Sequence, residues 1–426
     1  MKVVKAFLVA LCRTILASAF WLSIRLSTSL TVHGIEHDPC LPRTYLGMTH
    51  KRDIDPFILI PSIIFRHGWK EFTGGVRFAL RGDGFTRGFL ARVTSHVPWV
   101  AWALRPLSVG PALRWLGAYP TDGLIRPAEE WVREALALKG HVQADTLLTS
   151  TFLQTLAQAA HLPVETVGQQ PLARLLAWKY HTALYKFTGP EILLATERRE
   201  IERQVIARIR PQLEEITAYL WQGGSILGSP EGQLSPEGHL SPLHAGFWRM
   251  LRVSPPDLCI LPIATIYDFM TTRRPRIFVD FAPVIEHAPR LTHEELQTRL
   301  RRAWLLRTHF TCTQLASGFL MERRYSPLRE FTFDELTHAV HQHARSLADA
   351  GRHVDPQLLR LAGAARRVRG YLAYVERRGL VRRGTSGKWT ITFDELVMEV
   401  ALREVAYDDV PLLYAYHELQ DLLSVE

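Results

Sequence analysis

The sequence predicts an α/β fold, and three observations predict it. Tyr45-Leu46-Gly47-Met48 is a short apolar run of the buried-strand kind, followed by a polar turn and a second apolar run, Phe57 to Ile60. Ser225 to Leu227 reads as another strand, leading through Pro230-Glu231-Gly232 and a polar loop into a helix from Phe247 to Leu251. Leu258 to Tyr267 and Arg276 to Phe281 read as two further strands before the pattern turns helical at Thr292. The 426 residues, 47% of them hydrophobic, are enough for a sizeable core in one large or two medium domains. That composition excludes a disordered chain.

The net charge of +9 suits anionic partners: lipid head groups, nucleic acid or acyl-carrier proteins. Charge does not choose among them. The four cysteines, Cys12, Cys40, Cys259 and Cys312, are widely spaced and form no Cys-x2-Cys pair. That argues against a zinc site and a disulfide framework, and fits a reducing compartment.

The chemistry-bearing stretch is Thr49-His50-Lys51-Arg52-Asp53-Ile54-Asp55-Pro56. A histidine and an aspartate at a strand-to-helix turn can work as a base and its orienter. Residues five apart lie about 140° apart on an ideal helix, so a His50–Asp55 contact requires His50 in the turn, outside regular helix. The alternative is a loop histidine beside a capping aspartate. Asp53 is the rival orienter. A second stretch, Gly223 to Gly246, carries Ser-Pro-Glu-Gly-Gln-Leu-Ser at 229–235.

Together these stretches resemble the glycerolipid acyltransferase family, the lysophosphatidic acid and glycerol-phosphate acyltransferases. The family's first motif, His-x4-Asp, is matched by His50 and Asp55. Its third, Pro-Glu-Gly-Thr then a basic residue and Ser, is matched by Pro230, Glu231, Gly232 and Ser235. Its fourth, an apolar strand with an internal proline, is matched by Cys259 to Ala264. The resemblance covers roughly residues 30–290. It implies a mixed, largely parallel sheet flanked by helices. It also implies O-acyl transfer from acyl-CoA or acyl-carrier protein to a lipid hydroxyl, with no cofactor or metal beyond that co-substrate. His50 would be the general base and Asp55 its orienter, while Glu231 would bind acceptor hydroxyls or buttress the turn beside Gly232. The expected location is the cytoplasmic face of a membrane, as a peripheral or monotopic protein.

The departures from the family concern phosphate. Leu116 to Gly123 aligns with the second motif, but Gly123 stands where the family has an arginine, and the nearest arginine is Arg126. Gln233 and Leu234 replace a threonine and a basic residue. A guanidinium holds phosphate through a bidentate fork that glycine and leucine cannot supply. Two readings follow. The acceptor lacks a phosphate near its hydroxyl, or Arg81, Lys51, Arg52 or Arg126 holds the phosphate from another position.

The remaining elements follow in order. Residues 1–31 open with Lys2 and Lys5, then an apolar stretch broken by Arg13. Leu8, Leu11, Ile15, Ala19, Leu22 and Arg25 lie near one helical face, which predicts a membrane helix lying at the interface; an ordinary core helix is the alternative. Thr31 to Glu36 reads as a strand and turn. Residues 32–290 form the expected acyltransferase domain, interrupted by a helical insertion at about 127–190. Apolar periodicity predicts helices near 145–160, 171–187 and 190–221. Thr292-His293-Glu294-Glu295 has a capping-box start.

Residues 291–426 form a helical C-terminal region, from about 327 a separate tail with a basic two-stranded wing at 370–392. That wing admits a nucleic-acid reading, but behind an acyltransferase core a structural wing is expected and nucleic acid is not the expected partner. Phe331 to Leu336 and Ile391 to Leu396 look like twin helix starts. A rival from another class is a catalytically silent lipid-binding or scaffold protein on the same fold.

Overall fold

The computed structural model describes residues 2–38, 42–52, 55–67, 75–81, 108, 110–115, 117–121, 128–180, 183–184, 189–232, 237–272, 274–324, 329–385, 387–393 and 411–425. From the N-terminus, α1 (Lys2–Ser27) leads into β1 (Ser29–His33), β2 (Thr44–Met48) and α2 (Asp55–His67). Next come β3 (Val76–Arg81), α3 (Gly110–Trp115), β4 (Ala118–Thr121), α4 (Ala128–Lys139), α5 (Ser150–Ala160), α6 (Val164–Gly168) and α7 (Ala195–Trp221). β5 (Ser225–Gly228), α8 (Ala245–Arg252), β6 (Cys259–Asp268) and β7 (Arg276–Phe281) follow. The C-terminal part holds α9 (His293–Arg307), α10 (Cys312–Arg323), β8 (Glu330–Phe331), α11 (Phe333–Asp349), α12 (Leu361–Arg377), β9 (Val381–Arg383), β10 (Trp389–Ile391) and α13 (Pro411–Leu423).

The fold is α/β, a mixed and mostly parallel sheet flanked by helices, in the strand order β1-β7-β6-β2-β5-β3-β4. β1 pairs with β7, β2 with β6 and β5, and β3 with β5, all in parallel, while β6 and β7 are antiparallel. β2 and β5 are buried along their whole length. A parallel strand covered on both faces needs apolar side chains in both directions, so it reads as a continuous run and not as an alternation. Pro262 sits inside β6, where a missing N–H is ordinarily costly. Its carbonyl accepts from Ala282 N, so its ring nitrogen faces the β7 side, and the β7 ladder begins only at Ile263↔Phe281.

The chain divides into two compact units, residues 1–79, 115–118 and 217–426 in one, and 80–114 and 119–216 in the other. The second unit has its own core, with Trp131, Phe152, Leu156, Leu172, Leu175 and Tyr180 fully buried. The insertion expected at about 127–190 falls within this wider unit. The helix expected at 171–187 is replaced in its first part by short 3-10 turns at 172–176 and 178–180 following Pro171; Ala183 and Leu184 are helical, and 181–182 and 185–187 lie outside the described residues. The helix expected to start at 190 begins at Ala195, after a 3-10 turn at Pro190–Ile192.

The C-terminal region belongs to the unit of the sheet, which corrects the separate tail expected from about 327. α10 is buried nearly all round, and its Thr313 donates to Asp268 at the end of β6 at 2.6 Å. Gly370 on α12 approaches the chain after β6 so closely that a Cβ there would lie 1.7 Å from the Thr271 carbonyl oxygen. The wing is a three-stranded antiparallel sheet, β8-β10-β9, with Trp389 opposite Phe331. The first twin helix start is α11, capped by Thr332 and Glu335; residues 394–396 of the second lie outside the described residues. Thr292 and Glu295 form the capping box of α9.

α1 packs on α2, with Ala17 buried and Trp21 edge-on to Phe65 at 6.5 Å. Leu11, Ile15, Leu22 and Leu26 remain exposed and fall on one helical face. Among the described residues no helix is long and apolar enough to cross a membrane.

Candidate active site

The turn between β2 and α2 is built outward from the central strand. Thr49 extends the pairing with β6: its N–H donates to Ile263 O at 3.0 Å, and its hydroxyl accepts from Thr265 N at 3.0 Å. From the other side, Trp304 of α9 donates its indole N–H to Gly47 O at 3.0 Å. His50 follows, outside regular helix, as a contact with Asp55 requires. Asp55 is the first residue of α2 and fully buried.

The Asp55 carboxylate serves three donors. Its Oδ2 accepts from Lys51 N at 2.7 Å and Arg52 N at 2.8 Å, and its Oδ1 accepts from the Tyr267 hydroxyl on β6. His50 Nδ1 lies 3.5 Å from the same Oδ2, too far for a formed hydrogen bond. Nδ1 is buried without another partner, while the His50 side chain as a whole keeps 19% of its surface exposed. The geometry combines the two readings of the sequence. Asp55 caps the turn, and in doing so holds its carboxylate beside the imidazole.

Glu231 fixes the turn from the second motif stretch. Its Oε2 accepts from His50 N at 2.9 Å and its Oε1 from Ser241 N at 2.7 Å, so one buried carboxylate joins the His50 turn to the loop before α8. Burial raises its pKa, opposed by the Lys51 ammonium and by these two N–H donors. With both oxygens so employed, Glu231 acts as a buttress of the turn. Gly232 has φ +72°, and a Cβ there would sit 2.8 Å from His244 Cβ, so both backbone and space select glycine. His244 caps α8, its Nδ1 accepting from Gly246 N at 3.1 Å. Burial, then Arg249, lowers its pKa and favours the neutral ring that this bond needs.

A third set of residues, apart from Lys51, had no signal in any motif. Lys51 is buried, donating to Gly238 O at 2.8 Å and lying 3.3 Å from Glu418 Oε1 on α13. Gln314 of α10 donates to the other Glu418 oxygen at 3.3 Å. Asp421, one turn along α13, accepts from Leu240 N at 2.6 Å and from Arg301 of α9 at 2.6 Å. The His239 and His417 rings stack at 4.4 Å. α13 thus straps the loop 237–241 that Glu231 ties to His50. Acids more than 100 positions from their partners, on a helix of ordinary composition, leave no local pattern to read.

Of the residues weighed for phosphate, Lys51 is committed to Glu418 and Gly238. The Arg52 guanidinium lies over the rings of Tyr267 at 5.0 Å and Phe269 at 4.6 Å. Arg81 ends β3, and its side chain lies outside the described residues, as do Asp53, Gly123, Arg126, Gln233, Leu234 and Ser235. Among the described residues one group of His, Cys, Asp or Glu could hold a metal, His33 with Asp280 and His309, and none of these belongs to the 49–55 turn.

The arrangement can move a proton. A partly exposed imidazole sits on a rigid turn at the end of a central strand, with a buried carboxylate beside one nitrogen. No family model matches the chain, and no curated protein matches it.

Proposed function

We propose that the chain is a membrane-surface O-acyltransferase of glycerolipid type. It would carry a fatty acyl group from acyl-CoA or acyl-carrier protein to a lipid hydroxyl. The observation that carries this reading is the His50–Asp55 pair, with His50 held outside the helix by Glu231 and the Asp55 carboxylate held beside it by the backbone donors of residues 51 and 52. His50 takes the acceptor's hydroxyl proton as the oxygen attacks the thioester carbonyl. Asp55 stabilises the imidazolium that forms. Backbone N–H groups of the turns stabilise the developing oxyanion. The tetrahedral intermediate then expels the thiolate, and His50 returns the proton to it. No side-chain nucleophile is needed.

One observation favours the rival reading, a lipid-binding protein without activity. Asp55 already serves three donors, and its separation from His50 is long. Catalytic contacts are often long before substrate binds, so the separation does not remove the base. Thiol release from an acyl-CoA by purified protein, measured against a panel of lipid acceptors, separates the two. Turnover that depends on an acceptor is expected; its absence with every acceptor and both thioester donors favours the silent protein.

Within that panel, a neutral or sugar-bearing acceptor is expected to outperform lysophosphatidic acid. Gly123 and Leu234 stand where cations would meet a phosphate, and Lys51 is already paired. A clear preference for lysophosphatidic acid, abolished by Arg81→Ala or Arg126→Ala, would overturn this expectation.

The exposed face of α1 is the proposed membrane contact, supported by its apolar stripe and the basic chain. Because α1 also packs on α2, substitution is a cleaner test than deletion. Ile15→Glu with Leu22→Glu is expected to lower binding to anionic vesicles at least about tenfold, since two aliphatic side chains bury about 1.5–3 kcal/mol each. Unchanged co-sedimentation would move the contact elsewhere.

A further inference from the structure

The second cluster of titratable groups lies on the β1–β7 edge of the sheet and is not used by the proposed reaction. His33 ends β1 and is the register partner of Asp280 on β7. His309 lies between α9 and α10, its Nδ1 2.9 Å from Asp280 Oδ2. One ligand atom from each of the three falls within 4.8 Å of the others. Asp280 and His309 are 2% and 3% exposed. The other Asp280 oxygen, Oδ1, is buried with no hydrogen-bond partner. That orphaned oxygen is independent of the clustering, and it marks a place where a donor or a cation is missing.

The surroundings prepare the group for a cation. Phe278 stacks on the His309 ring at 4.6 Å and 12°, fixing its plane. His309 Nδ1 and Asp280 Oδ2, 2.9 Å apart, are close to the spacing of two donors on one ion, so a bound ion would take the place of the proton they share. His33 stacks on the other face of the group at 4.7 Å and 22°. Parallel rings cannot both aim in-plane lone pairs at one ion, so His33 has to turn. It is exposed on the edge strand, where rotation meets little resistance. Two imidazoles and a carboxylate are a donor set for zinc-class ions and not for magnesium or calcium. The absence of paired cysteines removes only the thiolate kind of zinc site.

We propose that His33, Asp280 and His309 bind one divalent transition-metal ion of the zinc class, clamping β1 to β7 and to the segment between α9 and α10. The proposal is independent of acyl transfer. The full chain, freed of metal with a chelator, is titrated with zinc chloride in competition with a chromogenic chelator, and its melting is followed with and without zinc. One equivalent is expected to bind and to raise the melting temperature, because the ion binds the folded chain. His33→Gln and Asp280→Asn should each weaken that binding at least about tenfold. Magnesium should have no effect. His33 is exposed, so its variant keeps the test intact if Asp280→Asn does not fold. No stoichiometric binding, or equal affinity in wild type and His33→Gln, overturns the site, since the chain's 18 histidines would then account for any zinc taken up.

Discussion

His50→Ala is expected to lower acyl transfer by about 10²–10⁴-fold, the range for loss of a general base, with the melting temperature close to that of the wild type. The second half of this expectation comes from the hydrogen bonds. His50 is tied to the fold through its backbone N–H, which donates to Glu231 and survives the substitution. Its Nδ1 forms no hydrogen bond to lose. Asp55→Asn is a poorer probe of chemistry. The Asp55 carboxylate organises the backbone of Lys51 and Arg52 and receives the Tyr267 hydroxyl, so an amide there presents donors to donors and loosens the whole turn. Activity lost in Asp55→Asn therefore mixes folding with orientation. Activity lost in His50→Ala, with melting unchanged, is catalytic. A fall of less than about tenfold would remove His50 as the base.

The parts of this molecule legible in its sequence are those whose physics is local. β2, β5 and β6 sit in the middle of the sheet and are covered on both faces, so they stand out as apolar runs. The capping boxes at Thr292 and Thr332 satisfy helix N–H groups within four residues, and the spacing of hydroxyl and carboxylate declares them. His50 and Asp55 are close in sequence, so their shared turn could be anticipated. The first part of the helix expected at 171–187 is 3-10 turns because Leu172, Leu175 and Tyr180 are buried by the core of a separate unit, which accepts such turns after Pro171 as readily as a helix. Gly370 carried no signal, because its need for close approach is set by the Thr271 carbonyl nearly 100 residues away. Glu231 was recognisable from its motif, but its work as a double acceptor for His50 and Ser241 appears only when both loops are in place. The strap formed by α13 belongs to the same class of long-range contact.

That strap gives the other large expected effect. Glu418→Ala should destabilise the protein by roughly 3–5 kcal/mol, the cost of leaving one member of a buried ion pair without its partner. Lys51 would keep Gly238 O but lose its counter-ion, and Gln314 would lose its acceptor. The loop 237–241 carries Ser241, which Glu231 holds together with His50, so transfer activity should fall with stability. Glu418→Gln retains one acceptor oxygen, enough for Lys51 or Gln314 but not both, and should cost less than Glu418→Ala. The pair also has a pH signature. Burial raises the Glu418 pKa, with Lys51 opposing it, so the folded chain holds that proton more tightly than the unfolded chain. The stability linked to this group is present below the ordinary glutamate pKa and is lost as pH rises through the raised value. The advantage of wild type over Glu418→Gln, measured by urea unfolding at a series of pH values, should therefore shrink with rising pH. An advantage that grows with pH would mean that Lys51 outweighs burial. Wild-type melting and full activity in Glu418→Ala would leave α13 as a packed helix with no hold on the His50 turn.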